Sequence, residues 1–406
     1  MGVRLLERVE KPEARIGPPI PIQPASPTKS SGDNLLTPAE CRALRHLTRL
    51  RKAMAAPLVQ RPKPPYGSDV QATSFRPAGA GAERLHGLDA LRGIAAMAVV
   101  VMHASVLFPG FPDLFPRGYL AVDFFFMLSG YVMARTYEAR LANGMPARRF
   151  FIARYKRLWP TMALGGVLFI PFLAEGTRGE DLVLWKVALV NLVLLPNPWA
   201  GNYFALNVPG WSIFFELVAN AAHALLWKAR TWLLGLLAGV SMVGLAKAAH
   251  AFGHLDLGSR NGELWAGLAR VATAYTMGVL TWRLWGERRL DPLTALPALV
   301  AMPLWFAVAD KIDGTNWLWD IAFVAFVALP VLLGGLAMTG AQAISRWAGE
   351  LSFPIYAIHY PLLYWFRAAG LPAPAAIAGC VVAAWLLVLV QQNWRTALGR
   401  PAKGAT

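Results

Sequence analysis

His86–Ser105 reads HGLDALRGIAAMAVVVMHAS, and this stretch decides the fold. Between Arg92 and His103 every residue is apolar or glycine, so the segment reads as a membrane helix closed by a cation at one end and an imidazole at the other. The two are eleven positions apart. At 100° per residue that is three turns and about 20°, so both project from one face, about 16 Å apart along the axis. Ionisable groups in a hydrocarbon core of ~30 Å are costly and usually line a pathway. This helix therefore carries the two ends of a polar route.

The composition agrees. Of 406 residues, 56% are hydrophobic and 15% charged, against about 25% charged in ordinary soluble domains. Apolar runs occur at 86–108, 118–137, 158–174, 183–197, 211–229, 232–252, 264–283, 293–309, 318–338, 351–367 and 373–393. The net charge of +16 reflects Lys and Arg held in cytoplasmic connections near anionic lipid, not nucleic-acid binding. Cys41 and Cys380 are the only cysteines; their spacing implies neither a disulfide framework nor a metal site. No secretory signal and no internal repeat is visible.

The basic residues set the topology. ARRFFIARYKR (147–157), Lys228 with Arg230, RLWGERR (283–289), Arg346 and the C-terminal tail are the Lys/Arg-rich connections. HLDLGSRNGE (254–263) and DKIDGTNWLWD (310–320) lean acidic. If 183–197 does not cross, every basic connection shares one side with the N-terminus and both acidic ones lie opposite. The positive-inside rule thus predicts an all-α polytopic membrane protein with about ten spans and both termini cytoplasmic. It leaves 183–197 as a re-entrant or interfacial helix on the outer side. Residues 1–84, rich in Pro, Gly and Ser, form a cytoplasmic extension that is disordered or weakly helical, with one basic amphipathic helix over Thr37–Ala56. Residues 85–394 are the membrane domain and 395–406 a cytoplasmic tail.

Further polar residues join Arg92 and His103. GYLAVDFFFMLSGYVMARTY (118–137) places Asp123 near the outer end of the second span and Ser129 deeper. Arg154 and Arg157, three apart, share a helix face at the cytoplasmic surface and suit bidentate binding of phosphate. PGWSIFFEL (209–217) enters from outside with Trp211, Ser212 and, about 7 Å deeper, Glu216. ELSFPIYAIHYPLLY (350–364) enters from inside and brings His359 to mid-membrane.

In order and spacing these blocks resemble the acyltransferase-three family of integral membrane acyltransferases. One departure is Ser352-Phe353-Pro354 where that family usually has Ser-Tyr, which predicts a different local kink. The resemblance implies transfer of an acyl group, most often acetyl from acetyl-CoA, to a hydroxyl of an extracytoplasmic glycan. It makes acyl-CoA, the glycan and the lipid bilayer the partners, with no bound cofactor, no metal and no nucleic acid, in the bacterial inner membrane. His103 is then the base, since imidazole titrates near neutrality, with Asp123 or Glu216 orienting its other nitrogen. Arg92, Arg154 and Arg157 would meet the CoA phosphates, and Ser129, Trp211, Ser212 and His359 would line the donor site. The alternative from another class is a transporter or flippase of a lipid-linked glycan, which a polar route through ten helices would also suit; no inverted repeat supports it.

Overall fold

The computed structural model describes residues 84–176, 181–308, 316–338 and 340–397. The expected N-terminal extension, its amphipathic helix and the end of the tail lie outside the described residues. Eleven helices occur among them and no strand. They are α1 His86–Leu107, α2 Ala121–Ala142, α3 Ala147–Gly176, α4 Asp181–Leu192, α5 Gly210–Leu226, α6 Thr231–Phe252, α7 Leu264–Trp285, α8 Ala295–Val308, α9 Asn316–Ala337, α10 Gln342–Ala368 and α11 Ala373–Ala397. Each apolar run of the sequence lies on one of them.

By length and composition α1, α3, α6, α9 and α11 are long and apolar enough to cross a membrane. The rest depart from that standard in two ways. α2, α7 and α10 carry ionisable residues, such as Asp123, Arg270 and Glu350, along their length. α4, α5 and α8 are short. α4, with 12 residues, extends about 18 Å, too little for a ~30 Å core.

Two boundaries differ from the sequence expectation. The basic stretch 147–157 is the first third of α3, a 30-residue helix that continues through Pro160 and Pro171. α10 likewise begins at Gln342 and runs unbroken through Pro354 and Pro361. Burial of an amphipathic face, more than local propensity, holds such helices together. Pro361 has no N–H to give the Ala357 carbonyl, and the Asn207 amide donates to it instead at 2.9 Å. The connection between α4 and α5 is thereby fastened to α10.

α1 packs along α10, α2 along α7, α3 along both α5 and α10, and α9 along α8. Between α2 and α7 glycine permits direct backbone contact: a Cβ on Gly130 would strike the Tyr275 carbonyl, and one on Gly278 the Met127 carbonyl. Small residues at such crossings are the usual device of membrane helix pairs. The core between these helices holds the buried side chains Leu91, Val100, Phe124, Tyr131, Phe215 and Leu363.

Candidate active site

The central cavity lies where α1, α2, α3, α5 and α10 meet. Its volume is about 180 Å³, and its polar lining is Arg92, Ser129, Arg154, Arg157, Ser212, Glu216, Ser352 and Tyr356. Phe125, Phe126, Val132 and Met133 supply apolar wall from α2. Six of the ten residues singled out in the sequence therefore meet at one cavity.

At the end near the N-terminus of α1, Asp89 accepts from Arg92 at 3.3 Å and from Arg84 at 2.6 Å. Arg84 also reaches Glu350 of α10 at 3.0 Å. Deeper in, Arg154 and Ser129 both donate to Glu216 Oε1, at 2.8 and 2.9 Å. Arg154 is almost wholly buried, whereas Arg157 is exposed at the cavity rim and makes no ion pair among the described residues. Glu216 offsets Arg154 and Asp89 offsets Arg92, so Arg157 leaves the cavity with a net positive charge, which suits a polyanionic ligand.

Further along, the Tyr356 hydroxyl and Ser212 Oγ stand 2.6 Å apart, and Ser212 donates its own proton to the Pro209 carbonyl. One turn on from Tyr356 comes His359. Its Nε2 lies 3.2 Å from Nδ1 of His103, the ring centroids being 5.1 Å apart. His359 is fully buried and His103 partly so. Neither histidine lines the cavity; Tyr356, which does, precedes His359 by one turn on α10.

The carboxylates correct the expectation. Neither Asp123 nor Glu216 touches His103. Asp123 is fully buried and receives two bonds from Arg270 of α7, at 3.1 and 2.7 Å. Glu216 is drawn to the arginine end by Arg154 because α5 descends toward it from Trp211. Trp211 is not at the cavity either. Its ring lies 4.9 Å from the Arg270 guanidinium and covers the Asp123 ion pair. The partner of His103 is another histidine, His359, and not a carboxylate.

Sequence reasoning missed Arg270, Tyr356 and Asp89. Arg270 had a signal: it is a cation in the apolar body of a helix whose other cation, Arg283, sits in the last turn, the same kind of mark that singled out His103. Tyr356 had none, since tyrosines are common in membrane helices. A second buried ion pair, Arg117 with Asp320, was also missed; Tyr119 and the Leu255 N–H add to it at 2.8 Å each. No group of three or more potential metal ligands occurs among the described residues.

An acyltransferase domain family matches residues 85–391, and the chain belongs to that family. "Protein 2 in picA locus" of Rhizobium radiobacter is 37% identical over 190 residues, 42% of this chain and 97% of that protein. "Putative membrane-bound transacylase BcsY" of Komagataeibacter xylinus is 25% identical over 76% of this chain and 83% of its own length. "Exopolysaccharide production protein ExoZ" of Rhizobium meliloti is 23% identical over 67% of this chain and 86% of its own length. No solved structure gives a significant match. The chain is an enzyme of the membrane O-acetyltransferase kind.

Proposed function

We propose that the chain moves an acetyl group from cytoplasmic acetyl-CoA to a hydroxyl of an extracytoplasmic glycan, an exopolysaccharide or O-antigen. The observation that carries this reading is the cationic cavity of Arg92, Arg154 and Arg157, whose lining includes Tyr356, three residues before His359 of the His103–His359 pair. The arginines bind the CoA phosphates and the acyl-pantetheine arm points along the cavity. His103 takes the proton of the acceptor hydroxyl as its oxygen attacks the thioester carbonyl. The C–S bond then breaks, and the thiolate recovers that proton from His103. The exopolysaccharide role in the name of ExoZ supports the choice of acceptor.

The same reading gives about ten spans with both termini in the cytoplasm of a bacterial inner membrane, and α4 as an outer, non-crossing helix. α2, α7 and α10 are spans in this scheme because most of their ionisable residues in the membrane interior meet partners on neighbouring helices.

The test is acetyl transfer from labelled acetyl-CoA by purified protein in liposomes, together with the acetyl content of surface polysaccharide in a deletion strain. His103→Ala should lower transfer by about 10²–10⁴-fold, the usual cost of losing a general base, while the protein stays monodisperse. Near-wild-type transfer by this variant would reduce His103 to a helix-packing residue.

A further inference from the structure

The two histidines fix each other's protons. Nδ1 of His359 faces the carbonyls of Ile355 and Tyr356, at 3.0 and 2.9 Å. Carbonyls only accept, so this nitrogen carries the hydrogen, and Nε2 of neutral His359 is a bare acceptor. Nδ1 of His103 faces that acceptor at 3.2 Å and the Val99 carbonyl at 3.0 Å. Both neighbours accept, so His103 also carries its hydrogen on Nδ1. Its Nε2 is left with a free lone pair and no hydrogen-bond partner among the described residues.

We infer that His359 is the positioning partner of His103, holding it as the Nδ1–H tautomer and accepting a hydrogen bond from the imidazolium formed when Nε2 takes a proton. This rests on the acyl-transfer reading above. His359 takes the place that a carboxylate holds in a Ser-His-Asp triad. A neutral acceptor suits a buried site, since it leaves no unpaired negative charge there when His103 is neutral. The step balances: the acceptor O–H breaks, its proton binds Nε2 of His103, and the same proton leaves on the CoA sulfur. His359 gains and loses nothing.

The surroundings do not compete for this role. Tyr360 of α10 meets His103 edge-on at 5.3 Å between ring centroids, and Asp256, in the connection from α6 to α7, makes no hydrogen bond to His103 among the described residues. Asp113 is engaged by Ser105 at 3.0 Å. His359 is faced by Tyr356 on its own helix and by Cys380 of α11, whose Sγ lies 3.9 Å from the His359 carbonyl.

The experiment uses the full chain in nanodiscs, with ¹⁵N-histidine and two-bond ¹H–¹⁵N correlation spectra that distinguish the tautomers; His103→Ala assigns the resonance. Wild type should show His103 as the Nδ1–H form. His359→Leu should show a mixture of tautomers. His359→Gln, whose amide oxygen can accept, should restore the wild-type form. In parallel, kcat for acetyl transfer should fall about 10- to 100-fold in His359→Leu, with KM for acetyl-CoA within about twofold. Its acid limb of kcat/KM should move to lower pH, because the imidazolium has lost its acceptor. An unchanged tautomer and unchanged limb in His359→Leu would overturn the inference and leave His359 a packing residue. If that variant does not fold, His359→Asn, too short to reach His103, takes its place with the same two outcomes. Absence of acetyl transfer in wild type would count against the proposed reaction, whereas the tautomer spectra judge the histidine pair by themselves.

Discussion

At the scale of single residues, the useful distinction is between ionisable groups that are paired off and those left for a ligand. Asp123 and Arg270 are both fully buried and satisfy each other. Removing one leaves the other unpaired in the interior, at a cost of about 3–5 kcal/mol. Asp123→Asn should therefore unfold at a clearly lower temperature in detergent. The double variant Asp123→Leu with Arg270→Met should recover part of the loss, the rest reflecting the Leu257 and Tyr119 carbonyls that Arg270 no longer satisfies. If Asp123→Asn instead melts with wild type while losing turnover, the carboxylate acts in the chemistry after all. Arg157 is the opposite case. It lines the cavity and makes no ion pair among the described residues, so substituting it disturbs little else. Isothermal titration with CoA should show weaker binding by Arg157→Lys, which loses the planar fork, and weaker still by Arg157→Ala. Equal affinity in all three would return Arg157 to the role of a topology signal. Residue type and spacing made Arg92, Arg154 and Arg157 legible as one group, but put Glu216 with His103, whereas it meets Arg154. They could not tell Asp123 and Trp211 from the cavity residues, because partner choice depends on Arg270, which lies 147 residues away from Asp123.

Among the elements, α10 shows how local chemistry and long-range contact share the work. Its two prolines would read as helix breaks, and the sequence predicted an altered kink at Pro354. The helix is continuous because its buried face packs on α1, α3 and α11, and because Asn207 fills the bond missing at Pro361. Asn207→Ala leaves the Ala357 carbonyl buried and unpaired, costing about 1–3 kcal/mol. Thermal unfolding should show that loss, and hydrogen exchange should rise locally in α10 around Ala357. Uniform exchange across the helix would mean that Asn207 does not support this turn. The apolar runs made each helix visible in the sequence. The starts of α3 and α10 were not, because their first turns are basic and polar, stay largely exposed and so look like connections in the sequence.

For the whole molecule, charge bias is the most direct clue to topology. Gly201 and Asn143 are both exposed, in the α4–α5 connection and just beyond α2. In a chain with Cys41 and Cys380 replaced by serine, Gly201→Cys should react with an impermeant thiol reagent added to intact cells. Asn143→Cys should react only after the membrane is opened. Labelling of Asn143→Cys from outside would sink the ten-span arrangement. The long ion pairs also bear on how the molecule is made. Arg270 follows Asp123 by 147 residues, and Asp320 follows Arg117 by 203. At about 5–20 residues per second, a ribosome delivers Arg270 roughly 7–30 s after Asp123, and Asp320 roughly 10–40 s after Arg117. If α2 spans the membrane as proposed, it cannot rest in lipid with a bare carboxylate during that interval. It must wait protonated, or beside the insertion machinery, until α7 arrives, so the order of synthesis sets the order in which helices are released into the bilayer.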